Sequence, residues 1–253
     1  MTPKNVKTTL NGHLKELHLP TFRECFEETA RRAEQESLSY EQYLLELSQQ
    51  ECDVRRTNRI ERLLRQSKLP LEKSLENFDL KRLPAKITQQ VRTLCDGGFV
   101  DRRENLLAFG KSGSGKTHLL AGIARDLIRN GRKVYFSPCS LLVQELLIAK
   151  RDLKLSRLIK RMNNFDVLMI DDIGYVQQSR EEMEVLFTLL AERYERGSVM
   201  ITSNLAFSKW EAIFKDPMTT AAAIDRLVHH SVILELNVPS YRLEEAKKAK
   251  AAS

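Results

Sequence analysis

Over residues 5–95 apolar positions recur at steps of three and four: Leu10, Leu14 and Leu17, then Phe22 and Phe26, then Tyr43, Leu44 and Leu47, then Ile60, Leu63 and Leu64. That is the period of a helix burying one stripe, and no alternating stretch interrupts it. Pro20 and Pro70 fall between the blocks as breaks. Ser39 followed by Gln42 has the form of a capping box opening a third helix. The pattern predicts a small all-helical N-terminal domain of three or four helices. After Asp96-Gly97-Gly98 the period changes: the apolar runs Asn105–Phe109, Lys133–Ser137, Val167–Asp171, Val199–Ser203 and Val232–Leu236 read as strands alternating with amphipathic stretches. Such alternation predicts an α/β fold, a parallel five-stranded sheet flanked by helices. The boundary is placed so that residues 1–75 form the helical domain and 76–253 the α/β domain, with a Lys/Ala/Glu-rich tail after Arg242 reading as a frayed helix.

Length and composition agree with a folded protein. At 253 residues the chain is long enough for one or two domains, and 42% hydrophobic residues argue against disorder. The formal charge of +7 favours anionic partners. Cys25, Cys52, Cys95 and Cys139 form no C-x-x-C pair, so neither a disulfide framework nor a structural zinc is expected. Met1–Leu10 carries Pro, Asn, Thr and Lys where a leader needs an apolar stretch, and no run approaches the ~18 apolar residues of a membrane span. A cytoplasmic protein with no membrane partner is the expectation.

The sharpest chemical signal is Gly110-Lys111-Ser112-Gly113-Ser114-Gly115-Lys116-Thr117, which matches G-x-x-x-x-G-K-[ST] and lies between a predicted strand and the helical stretch His118–Arg129. A chance match in a chain of this length is about one per cent or less on average residue usage. Glycines let successive N–H groups face a phosphate, the helix N-terminus adds partial positive charge, Lys116 reaches the terminal phosphates and the Thr117 hydroxyl suits Mg²⁺. The second half of such a site is an acid ending a neighbouring strand, and Val167–Ile170 runs into Asp171 and Asp172. Asp171 would hold the magnesium and Asp172 would polarise the attacking water, although a Glu with its longer arm is commoner there. Val199–Ser203 ends in Asn204, which would orient the same water if its strand lies between the other two. Each has a plainer reading as a polar strand end.

Together with Ile224-Asp225-Arg226-Leu227 and Pro239-Ser240-Tyr241-Arg242, these motifs resemble the AAA+ P-loop NTPases of the IstB type, transposition helpers of insertion sequences related to DnaC helicase loaders. The resemblance covers about residues 75–245 as an ordered motif series, and the helical N-terminal region is also similar. It implies that Arg226 acts as an arginine finger reaching a neighbouring subunit's nucleotide, that Arg242 serves as sensor 2, and that Phe78, in Leu75-Glu76-Asn77-Phe78-Asp79, lies along the adenine. Surface ion pairs, with Asp225 or Glu245, are the ordinary alternative for the arginines, and a core position is the alternative for Phe78.

Charge is spread over both halves, 19 basic against 17 acidic residues before position 105 and 22 against 17 from there on. Two runs stand out: Arg55, Arg56, Arg59, Arg62, Arg65 and Lys68, opposed only by Glu61, and Lys150, Arg151, Lys154, Arg157, Lys160 and Arg161, opposed only by Asp152. Either is a candidate phosphate-backbone track or a solvated helix face. The resemblance places the segment between the second and third strands on DNA, where the second run falls. Contacts of this kind carry no base code, so log K should fall by ~0.9 per log salt for each phosphate neutralised. Adjacent His229 and His230 point different ways and are not a metal pair, and Trp210, Met162 and Met169 read as packing.

The resulting expectation is an ATP- and Mg²⁺-dependent ATPase that self-associates through ATP-bridged interfaces on duplex DNA and assists the transposase of the same element. The N-terminal domain is expected to serve DNA binding or oligomerisation. The rivals are a DnaC-like helicase loader preferring single strands, a small-molecule kinase sharing the phosphate loop, and a non-enzymatic DNA-binding scaffold.

Overall fold

The computed structural model describes residues 3–70, 72–174, 179–206, 209–210 and 217–241. The chain divides into two compact units, 1–62 and 63–253. The division falls thirteen residues before the boundary read from the sequence, within a helix that runs on past it.

The first unit holds α1 (Pro3–Glu16), α2 (Pro20–Gln35) and most of α3 (Tyr40–Ser67). Leu14, Phe26 and Leu47 form its core, with Phe22, Cys25 and Tyr43 packed around them. Pro20 does not merely break a helix; it opens α2 at the first helical position, where its missing N–H costs nothing. Leu19 at the N-cap offers no side-chain acceptor. Buried Glu51 from α3 takes that role, accepting from Thr21 N at 2.9 Å and Phe22 N at 3.3 Å while Arg55 Nε donates to it at 2.7 Å. Burial pushes the Glu51 carboxyl up, but the hydrogen bonds from Arg55, Phe22 and Thr21 outweigh it and hold the group below the usual carboxylate range. The expected capping box is present: Ser39 N donates to Gln42 Oε1 at 2.8 Å, and Gln42 N to Ser39 Oγ at 3.2 Å.

In the second unit a 3₁₀ turn (Leu80–Arg82), α4 (Ala85–Cys95) and the short α5 (Gly98–Asp101) precede the sheet. There follow β1 (Asn105–Phe109), α6 (Lys116–Arg129), β2 (Val134–Pro138), α7 (Cys139–Arg151), α8 (Leu155–Met162) and β3 (Val167–Ile173). The unit continues with α9 (Arg180–Arg193), β4 (Ser198–Ser203), α10 (Pro217–Val228) and β5 (Ser231–Glu235). All five strands are parallel, in the order β2-β3-β4-β1-β5. Leu107, Leu168, Ile170, Val199 and Ile201 pack with α7, α8 and α9, whereas α6 lies on β1, β3 and β4. Burial on both faces is why these strands are continuous apolar runs and not alternating ones.

Arg193, 1% exposed, fastens the ends of three elements at the start of the sheet. Its guanidinium donates to the carbonyls of Met162, Phe165, Asp166 and Ser198 at 2.8–3.3 Å. Burial pushes its pKa down to about 10, so it stays charged at neutral pH. Trp210, Met162 and Met169 are buried, as expected. No disulfide joins Cys25, Cys52, Cys95 and Cys139. Among the described residues no helix is long and apolar enough to cross a membrane. The predicted tail helix after Arg242 lies outside the described residues.

Candidate functional site

The loop 110–115 leaves the end of β1 and delivers its backbone to the N-terminus of α6, whose N-cap is Gly115 at φ 92°. That conformation is open to glycine and strained for other residues. Space is the second constraint: a Cβ on Gly115 would stand 2.8 Å from the Phe78 ring, and one on Gly113 would stand 2.0 Å from Ser240 Oγ. Lys116 is buried, its Nζ donating to the carbonyls of Gly110 at 2.9 Å and Lys111 at 3.0 Å. Ser114 Oγ is buried with no hydrogen-bond partner, an orphan group in the phosphate loop. The N–H groups of a helix N-terminus, a lysine and an unsatisfied hydroxyl are the donors a triphosphate requires.

The loop is tied to the acidic strand end. Thr117 Oγ1 donates to Asp171 Oδ1 at 2.8 Å, and Thr202 Oγ1 donates to the same oxygen at 2.6 Å. Thr202 Oγ1 also accepts from Asp172 N at 2.8 Å, so one hydroxyl orients both acids. This works because β4 lies between β1 and β3, the condition under which Asn204 was expected to reach the site. Between Ile170 and Ile173 the β3–β4 register shifts, and Asp172 adopts φ 60°. Asp tolerates that left-handed turn better than most residues, and Asp172 and Asn204 both line the cleft.

The cleft encloses about 430 Å³, and its lining includes Ser112–His118, Asp172 and Asn204 together with Lys73, Asn77, Phe78, Asp79, Arg82 and Tyr241. Phe78 meets the His118 ring edge-on, centroids 5.2 Å apart, and His118 Nε2 lies 2.9 Å from Ser74 O. The Arg82 guanidinium stacks 5.2 Å from the Tyr241 ring and donates to Pro239 O at 3.2 Å, while Tyr241 N donates to Gly113 O at 3.0 Å. Lys73, Arg82 and Thr202 were not anticipated. No motif spacing marks them, because each is brought in by the tertiary fold.

Arg242 lies outside the described residues. Arg226 does not line this cleft. It sits near the C-terminus of α10, beside Asn105 at the beginning of β1 and Val199 near the beginning of β4, at the opposite end of the sheet. Its guanidinium stacks on Phe187 at 5.3 Å, and Nη1 is buried with no hydrogen-bond partner. It forms no ion pair with Asp225, and Glu245 lies outside the described residues.

The two basic runs are less one-sided than the sequence implied. In the first, Arg55 pairs with Glu51, and Lys68 turns to Tyr135, donating to its hydroxyl at 3.0 Å. Arg56, Arg62 and Arg65 are exposed and form no ion pair among the described residues, and Arg59 is exposed as well. In the second, Lys150 pairs with Glu184, Lys154 with Asp152 and Arg161 with Glu145, so Asp152 is not the sole opposing acid. Exposed Arg151, Arg157 and Lys160 are left without ion pairs among the described residues. No cluster of three or more metal-ligating side chains occurs among the described residues; His229 and His230 stand with ring centroids 4.1 Å apart.

Residues 12–249 match the family described as IstB-like ATP binding protein. The chain belongs to that family. An insertion sequence ATP-binding protein of Sinorhizobium fredii is 40% identical over 98% of this chain and 85% of its own length. The insertion sequence IS21 ATP-binding protein of Pseudomonas aeruginosa is 38% identical over 95% of this chain and 89% of its own. Among solved structures, AMPPCP-bound DnaA from Aquifex aeolicus superposes with a TM-score of 0.57 at 16% identity, covering 74% of this chain and 57% of that one. At that identity the likeness concerns the fold, and the fold is the AAA+ P-loop architecture expected from the motif series. The IstB-like chain is thus an ATPase associated with insertion sequences.

Proposed function

We propose that this IstB-like chain hydrolyses ATP at a cleft completed by a second copy, and that its ATP-bound assembly grips duplex DNA in the cytoplasm for the transposase of the same element. The observation that carries the reading is the Thr117–Asp171–Thr202 hydrogen-bond chain, which couples the phosphate loop to the acidic strand end. Lys116 and the N–H groups of 112–117 bind the phosphates, and Phe78 and Arg82 border the base and ribose end of the cleft. Thr117 and Asp171 are oxygen donors of the kind that suit Mg²⁺, and between them they would hold it. Bound there, the ion would neutralise charge on the β- and γ-phosphates. Asp172 accepts a proton from the attacking water, which Asn204 orients. Arg242 belongs to the same scheme as sensor 2.

Arg226 supports the shared cleft: it is remote from its own chain's phosphate loop, and its buried Nη1 has no partner. A guanidinium supplied to another copy's γ-phosphate contributes ~10³- to 10⁵-fold in rate. The IS21 relatives support the transposition role over a helicase loader. The DNA contacts are assigned to Arg55, Arg56, Arg59, Arg62 and Arg65, with Lys68 at their end, and to the run from Lys150 to Arg161. Titrating protein concentration tests the shared cleft. Wild-type turnover per subunit should rise with concentration, and Arg226→Ala should bind ATP normally yet lose at least about 10³-fold in kcat. Full activity in dilute Arg226→Ala protein refutes it.

A further inference from the structure

The turn joining α7 to α8 presents an apolar side chain where folding alone has no use for one. Leu153 is 95% exposed. It occupies the position after the C-cap of α7 at φ 57°, its N–H donating to Lys150 O at 3.1 Å and the Lys154 N–H to Ala149 O at 2.7 Å. This pair of bonds is the helix-ending motif that ordinarily employs glycine or asparagine at that site. A leucine there is strained in its backbone and buries nothing. It is nevertheless held firmly, because Asp152 N donates to Ile148 O and Leu158 N to Lys154 O on either side.

The surroundings indicate what the side chain meets. Arg151 is two residues before it, Lys154 is next, and Arg157 and Lys160 follow on α8, whose Leu158, Ile159 and Met162 are buried so that the cations are left outward. Arg151, Arg157 and Lys160 have no ion pairs among the described residues, so their charge is available to phosphates. An apolar tip ringed by such cations is the arrangement proteins use to part base steps from the groove while holding the flanking backbone.

We propose that Leu153 is a wedge that enters between base pairs of duplex DNA and kinks it, with Arg151, Arg157 and Lys160 on the adjoining phosphates. This rests on the duplex-binding reading above and adds to it a means of deformation. It also states a division of labour, in which the cations supply affinity and Leu153 supplies the distortion.

The test uses the full chain with MgATP and a short duplex carrying a dye at each end and 2-aminopurine at its centre. Wild type should raise end-to-end energy transfer and 2-aminopurine emission on binding. Leu153→Ala should bind with at most about tenfold weaker affinity but lose both signals, and Leu153→Met should restore them. Arg157→Gln should instead weaken binding and lower the salt dependence by ~0.9 per log unit. Undiminished kinking by Leu153→Ala overturns the wedge while leaving duplex binding standing. A change in assembly mass in Leu153→Ala with DNA bending intact also overturns it and makes the tip a contact between copies. Failure of wild type to bind duplex at all overturns the underlying reading as well.

Discussion

Removing the Thr202 hydroxyl is the most direct probe of how the acids are aimed. Thr202→Val keeps the buried, β-branched shape in the centre of the sheet but deletes two hydrogen bonds: the one given to Asp171 Oδ1 at 2.6 Å and the one received from Asp172 N at 2.8 Å. A hydrogen bond to a charged group is worth about 1.5–3 kcal/mol and one between neutral groups about 1 kcal/mol, so the fold should lose about 2.5–4 kcal/mol. If the carboxylate bond is expressed fully in the transition state, 1.5–3 kcal/mol corresponds to a fall in kcat of about 10- to 100-fold. Thr202 hydrogen-bonds to the two aspartates and not to Lys116, Phe78 or Arg82, so the Kd for ATP measured without Mg²⁺ should move less than about threefold. Steady-state turnover and a fluorescent-nucleotide titration separate the two quantities, and Thr202→Ser should recover most of kcat. A Val variant with wild-type kcat, or one whose loss lies wholly in affinity, refutes the assignment of Thr202 as the residue that positions Asp171 and Asp172.

Two further outcomes follow from the geometry. Gly115→Ala forces a side chain into φ 92° and against the Phe78 ring at 2.8 Å; the backbone alone costs about 1–2 kcal/mol, so ATP should bind about tenfold or more weaker by calorimetry. Glu51 titrates below an ordinary carboxyl, so its contribution is complete above the unfolded value of about 4.3 and is lost as pH falls through the lower folded value. Amide exchange in α2 should therefore accelerate below about pH 4 in wild type, whereas Glu51→Gln, about 1–2 kcal/mol less stable at neutral pH, should show no such step.

The strands were legible because both sheet faces are covered, which makes Leu106–Phe109 and Val167–Ile170 unbroken apolar runs that need no knowledge of their neighbours. The Ser39–Gln42 cap was legible for the same reason, since it is complete within four residues. What escaped depends on contacts between distant segments. Glu51 caps a helix thirty residues away, Thr202 reaches an aspartate on another strand, and Arg82 meets a carbonyl 157 positions later. Part of the acid opposing the second basic run escaped for the complementary reason: Glu145 and Glu184 pair with it from other parts of the fold, invisible to a window along the chain.

The strand order has a consequence for how copies associate. The phosphate loop leaves one end of β1 and Arg226 stands at the other, with β5 paired alongside, so in the shared cleft proposed above giver and receiver would lie at opposite ends of one sheet. Two copies related by a twofold axis would bring like poles together and satisfy neither requirement together with its converse. Association through the proposed contact would therefore be polar and would repeat, closing as a ring or advancing as a helical array. In an advancing array one terminal copy always holds nucleotide without a donor, which makes that terminus chemically distinct from every interior position.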